Sequence, residues 1–185
     1  MSASITVSMN ELKFAVRWAA LGKQVPPGLA DELANAATTL AALQPDPLGP
    51  LLSALEALPV DYSWGKLELL SRGNTLQISS DASPIETGPV VSDAIRLNTP
   101  VTFATPPTNA ELLLGYLAPL KPTSELVPWM PESLLNIATS TRNAHGTDVA
   151  ESDWQRLWRL TNQALAPATE ASRLTGAGAG LNDRD

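Results

Sequence analysis

Apolar residues recur at helical spacing at both ends of the chain and alternate with polar ones near its middle. Ser8-Met-Asn-Glu11 has the form of a capping box, in which a hydroxyl accepts from the backbone N–H three residues on and a carboxylate reaches back. It predicts a helix over about Met9 to Leu21. Met9, Leu12, Val16 and Ala19 share a face, Phe14, Trp18 and Leu21 widen it, and Gly22 supplies a left-handed stop. Pro27 suits the first turn of a second helix, whose Leu29, Leu33, Ala36, Ala37, Leu40 and Leu43 lie together and whose end is marked by Gln44-Pro-Asp-Pro47. A third helix, Leu51 to Leu58, stops at Pro59.

Beyond Tyr62 the period changes. Trp64 to Leu70, the triplet Arg72-Gly-Asn74 and Thr75 to Ser79 read as a hairpin. Ser80 to Pro89 reads as a loop, and Val90-Val91, Ile95 to Leu97 and Val101 to Phe103 as further short strands. Thr108-Asn-Ala-Glu111 repeats the capping grammar before Leu112 to Ala118, a short helix with a buried strand as the alternative. Val127, Trp129 and Leu134 to Ile137 are expected as short strands or walls of a cleft. Ser152-Asp-Trp-Gln155 opens the last helix, where Trp154, Leu157, Trp158, Thr161 and Leu165 form a stripe that docks on the core.

The expected class is α+β, in one domain spanning 1–185. Its parts are a helical cluster at 8–59, a central, mostly antiparallel sheet of short strands with one short helix at 60–150, docked C-terminal helices at 151–174 and a Gly-rich tail at 175–185.

Composition narrows the function. The net charge is −7, from 12 basic and 19 acidic residues, with no basic cluster, so no nucleic-acid partner is expected. The second helix would present Asp31, Glu32 and Asn35, which argues against a DNA-reading helix-turn-helix. The chain has no cysteine, which excludes disulfides, thiolate catalysis and Cys-ligated metals. With no basic n-region and no apolar run of membrane-spanning length, a cytoplasmic location without membrane contact is expected. No metal and no cofactor is expected: His145 is the only histidine. It is read as structural or solvent-exposed, with a triad partner Asp148 as the alternative, although no Gly-x-Ser-x-Gly elbow exists.

The strongest candidate chemistry lies in Pro167-Ala-Thr-Glu-Ala-Ser-Arg-Leu-Thr-Gly-Ala-Gly-Ala-Gly-Leu-Asn-Asp-Arg-Asp185. Arg173 would bind a carboxylate or phosphate, with Glu170 and Ser172 as weak catalytic candidates. Gly176, Gly178 and Gly180 would turn backbone N–H groups inward as an anion nest. The plain alternatives are a Glu170–Arg173 surface pair and a loose glycine-rich end. Trp18, Trp154 and Trp158 read as core, whereas Trp129, between Val127-Pro128 and Met130-Pro131, is the ring expected to face a ligand. This tail, with Val7-Ser-Met-Asn-Glu11 and the first helical hairpin, resembles a bacterial domain-of-unknown-function family. That resemblance implies no reaction and carries over no catalytic residue. Two functions are expected: binding of a small anionic metabolite, with an enzyme of metabolite breakdown as one form of it, or a non-catalytic accessory subunit or homo-oligomer whose tail docks into a partner.

Overall fold

The computed structural model describes residues 3–59, 61–65, 67–78, 83–105, 107–138 and 146–165. In chain order these form β1 (Ser4–Ser8), α1 (Met9–Gly22), α2 (Pro27–Leu43), α3 (Leu48–Glu56), β2 (Leu69–Arg72), β3 (Thr75–Ile78), α4 (Pro84–Arg96), β4 (Val101–Phe103), α5 (Ala110–Leu117), a 3-10 turn, α6 (Glu132–Ala138), β5 (Gly146–Ala150) and α7 (Glu151–Ala164). The class is α+β, as the sequence predicts.

The two ends of this fold are built alike. β1 and β5, each of 5 residues, run directly into α1 and α7, each of 14. β1 pairs antiparallel with β5, Ser4 opposite Ala150 and Ser8 opposite Gly146, and α1 packs along α7. The Ser8/Glu11 capping box forms as predicted: Ser8 Oγ accepts from Glu11 N at 3.2 Å, and Glu11 Oε2 accepts from Ser8 N at 2.9 Å. These bonds favour the carboxylate and hold the Glu11 pKa below its usual value. α7 starts differently. Its Glu151 N–H donates to the carbonyl of Ala3 at 2.9 Å, so the residue preceding β1 satisfies the helix start, and Ser152 lies inside the helix. The expected Ser152/Gln155 box therefore does not form.

α2 is the central helix. Its Ala30, Leu33, Ala34, Ala36, Ala37, Leu40, Ala41 and Leu43 are all buried, because α1 covers one side and α5 the other. Small side chains let these neighbours come close. A Cβ on Gly115 of α5 would lie 2.2 Å from the Ala36 carbonyl oxygen. α4 closes on α5 in the same way, with the Tyr116 ring against Gly88.

The remaining strands form a three-stranded sheet, ordered β2-β3-β4, antiparallel between β2 and β3 and parallel between β3 and β4. The predicted hairpin is present. Gly73 takes φ +63° at the first central position of its two-residue turn, where a type II′ turn requires that sign.

Several expectations change. The segment holding Val90, Val91 and Ile95 is helical, not strand. Ser83 caps it, Pro84 fits its first turn, and Ile85, Gly88, Val91, Ser92 and Ile95 make its buried stripe. Leu134 to Ile137 lie in α6. The 60–150 region thus carries three α-helices, not one. Gly22 is the last helical residue of α1 rather than a left-handed stop, and the positive φ falls on Gln24 at +61°. The Thr108 box is not made either, since the N-cap of α5 is Asn109 in the left-handed region with no side-chain cap.

Candidate functional site

α1 and α7 meet too closely to admit large rings between them. A Cβ on Gly22 would lie 2.5 Å from the Leu160 carbonyl oxygen, and the buried Thr161 hydroxyl donates to the carbonyl of Ala15 at 2.9 Å. Leu12, Ala15, Val16, Ala19 and Ala20 fill the core side of α1, while Leu157 and Thr161 do so on α7. Phe14 and Trp18, and Trp154 and Trp158, are pairs four residues apart on their helices and fall beside this seam.

There the rings form one row. Trp154 and Trp158 meet edge to face at 6.0 Å between centroids, Trp158 and Phe14 lie 6.4 Å apart, and Phe14 and Trp18 lie 6.1 Å apart. Phe14 remains 46% exposed, and the three indoles are only half-buried. This corrects the assignment of Trp18 and Trp158 to the core, while Trp154 packs against the core without being enclosed by it. The sequence signal was the width of the α1 apolar arc, which exceeds what one buried face can take. At the end of the row the Arg17 guanidinium sits 5.6 Å from the Trp18 ring centroid and also pairs with Asp31 of α2. On the far side of α7, Arg156 bonds Glu56 of α3 and Asp153, and those bonds, Glu56 first, strengthen its hold on its proton.

The residues assigned to anion binding or catalysis, Glu170, Ser172, Arg173, Gly176, Gly178 and Gly180, lie outside the described residues, as does His145. Asp148 is on β5 and accepts a hydrogen bond from the Thr6 hydroxyl. Trp129 is half-buried with its ring edge-on to Phe103, at 4.9 Å between centroids. Its indole Nε1 is buried without a hydrogen-bond partner among the described residues.

One buried carboxylate escaped the sequence reading. Glu86, 7% exposed in the first turn of α4, accepts from the Tyr62 hydroxyl at 2.9 Å and from the Gly65 N–H at 2.7 Å. Ser83-Pro-Ile-Glu86 was its signal, another Ser-x-x-Glu. Here the carboxylate ties the 61–65 loop to α4, and burial pushes the Tyr62 phenol pKa up. Both carboxylate oxygens are occupied, which suits a structural tie better than proton transfer.

Two open clefts flank α4. A trough of about 270 Å³ between α2, α4 and α5 is lined by Glu32, Asn35, Asp93, Arg96 and Tyr116, with Arg96 held by Asp93 at 2.7 Å. Burial, then the charge of Glu32, pushes the Tyr116 phenol far above its ordinary pKa. A groove of about 430 Å³ between the hairpin and α4 includes Ser71, Leu76, Val90 and Leu97. Among the described residues there is no group of three or more potential metal ligands, and no helix is long and apolar enough to cross a membrane.

No family model, curated protein or solved structure matches the chain.

Proposed function

We propose that the protein is a non-catalytic accessory subunit of the cytoplasm that works by docking, with the α1–α7 ring row as its binding face. The observation that carries this reading is the contiguity of Phe14, Trp18, Trp154 and Trp158 on the surface. Aromatic rings dominate the buried centres of interfaces, and covering this row would remove the part of each ring that is still exposed from water. Arg17 and Asp31 supply a polar rim. The 20 residues after Leu165 continue from α7 and serve in this reading as a second segment reaching into the partner.

A photo-crosslinking amino acid at position 14, introduced in the producing cell, is expected to give one discrete adduct. The same group at exposed Ser53 on α3 is expected to give none. Once the partner is in hand, Trp158→Ala should weaken binding by about 30-fold, the effect of a hot-spot truncation near 2 kcal/mol. Equal, diffuse labelling from both positions would remove the basis for the docking face.

The Trp129 indole N–H, buried and unpartnered among the described residues, supports a second reading, in which a small organic acid or phosphate is bound by Arg173, the Gly176, Gly178 and Gly180 backbone, and the Trp129 ring. A ligand at a hundred times its Kd adds about 2.7 kcal/mol of stability, or roughly 5–11 °C for a chain of this size. A thermal-shift panel of organic acids and phosphates should then contain such a compound, and Arg173→Ala should abolish its shift. A flat panel, or an undiminished shift in the variant, removes this reading.

A further inference from the structure

We infer that two copies of the chain pair through β2, joining their three-stranded sheets into one sheet of six strands. The inference is independent of the ring row, which lies on other elements.

β2 is the outer strand of its sheet, and all four of its residues are exposed. On β3, the Leu76 N–H donates to the Pro100 carbonyl and the Ile78 carbonyl accepts from the Ala104 N–H, so both residues turn their backbone groups away from β2. Alternation along an antiparallel ladder then gives Thr75 and Gln77 to Arg72 and Leu70. Among the described residues, nothing pairs with the N–H and C=O groups of Leu69 and Ser71, which point off the outer edge of the sheet. Exposed edges of this kind template pairing with another strand.

The sequence Glu68-Leu-Leu-Ser-Arg72 is complementary to itself in one register. A two-fold axis at Leu70 places Leu70 opposite its own copy, Leu69 opposite Ser71, and Glu68 opposite Arg72 at both ends. This register gives the outward N–H and C=O groups of Leu69 and Ser71 to each other and makes Leu70 a non-hydrogen-bonded pair, as the ladder requires. Strand alternation sets Glu68, Leu70 and Arg72 on one face, so the two opposite-charge pairs flank the leucine pair. Leu69 of the second copy arrives on the other face, beside Ser71, which shares the α4 groove with Leu97. Leu69, Leu70 and Leu97, at 45%, 54% and 78% exposure, are three of the five large apolar side chains exposed among the described residues, and this single contact covers them.

Sedimentation equilibrium on the full chain should show a species of twice 19.5 kDa. Glu68→Arg alone and Arg72→Glu alone should each weaken the dimer about tenfold or more, since each sets like charges opposite one another twice. The double swap Glu68→Arg with Arg72→Glu should restore it. Because the chain has no cysteine, Leu70→Cys gives a direct register test. Oxidation should link it across the two-fold axis, while Arg72→Cys should not link. A monomer at every concentration, a double swap no better than the single ones, or equal linking at both positions would each overturn the β2 dimer. Loss of the β2 dimer would leave crosslinking at position 14 unchanged, so the two readings fail separately.

Discussion

Gly115→Ala should lower the melting temperature by about 6–12 °C, the largest effect expected from adding a single methyl group to this protein. The new carbon would sit 2.2 Å from the Ala36 oxygen, 2.8 Å from its carbonyl carbon and 3.1 Å from its Cα. All three are backbone atoms of α2, which packs against both α1 and α5, so no side chain can swing aside and the α2–α5 pair must separate. Around that contact lie Leu112, Leu113, Leu114 and Leu117, all fully buried, whose packing is lost as the gap opens. Overpacking a dense core costs typically 1–3 kcal/mol, and a clash with fixed backbone belongs at or above the upper end. About 3 kcal/mol corresponds to the stated shift for a domain of this length. The better helix propensity of alanine, about 1 kcal/mol, opposes this and is outweighed. Gly28→Ala isolates that propensity, since a Cβ there meets nothing within 4 Å, and it should be neutral or stabilising by up to about 1 kcal/mol. Similar melting temperatures for the two variants would mean that α2 and α5 are not in backbone contact.

The sequence was legible where the deciding interaction is local. Ser8 and Glu11 cap α1 through bonds three residues apart, and Pro27 and the Arg72-Gly-Asn74 turn act within their own segments. The same four-residue grammar failed at Thr108 and Ser152, because a helix start needs its N–H groups satisfied and tertiary structure can do that instead. Ala3, far away in sequence, supplies the acceptor for Glu151. The pairing of β1 with β5 leaves no local trace at all. α4 was missed because Pro84, Gly88 and Pro89 read as loop formers, although Ser83-Pro84 is a capped start and Gly88 is required by the Tyr116 ring. The ring row was misjudged for a related reason. Helical spacing identifies which residues share a face, but the closeness of a neighbouring helix decides whether rings on that face fit inside. Of the ligand-binding and catalytic residues favoured from sequence, Trp129 is the one within the described residues, and the lack of a partner for its N–H among those residues was not readable from composition or spacing.

Gly22→Ala should cost about 2–3 kcal/mol, a fall of roughly 4–12 °C in melting temperature, and should also disorganise the proposed docking face. The added carbon would meet the Leu160 carbonyl oxygen at 2.5 Å, the Ala164 nitrogen at 3.2 Å and the Gln163 Cβ at 3.3 Å. Relieving that clash moves α7 away from α1. The Thr161–Ala15 hydrogen bond, which joins residues 146 apart in sequence, then lengthens, and the Trp158–Phe14 contact across the seam opens. Near-UV circular dichroism, which reports fixed indole surroundings, should weaken in the folded variant, and the crosslink from position 14 should fade with it. Thr161→Val removes the hydroxyl while keeping the side-chain volume, and the lost hydrogen bond should cost only about 1 kcal/mol with the indole signal retained. That ordering separates two ways of docking α7. If Thr161→Val proved the more damaging change, the hydrogen bond and not close backbone approach would set the helix spacing, and the partial exposure of Phe14, Trp18, Trp154 and Trp158 would need another cause.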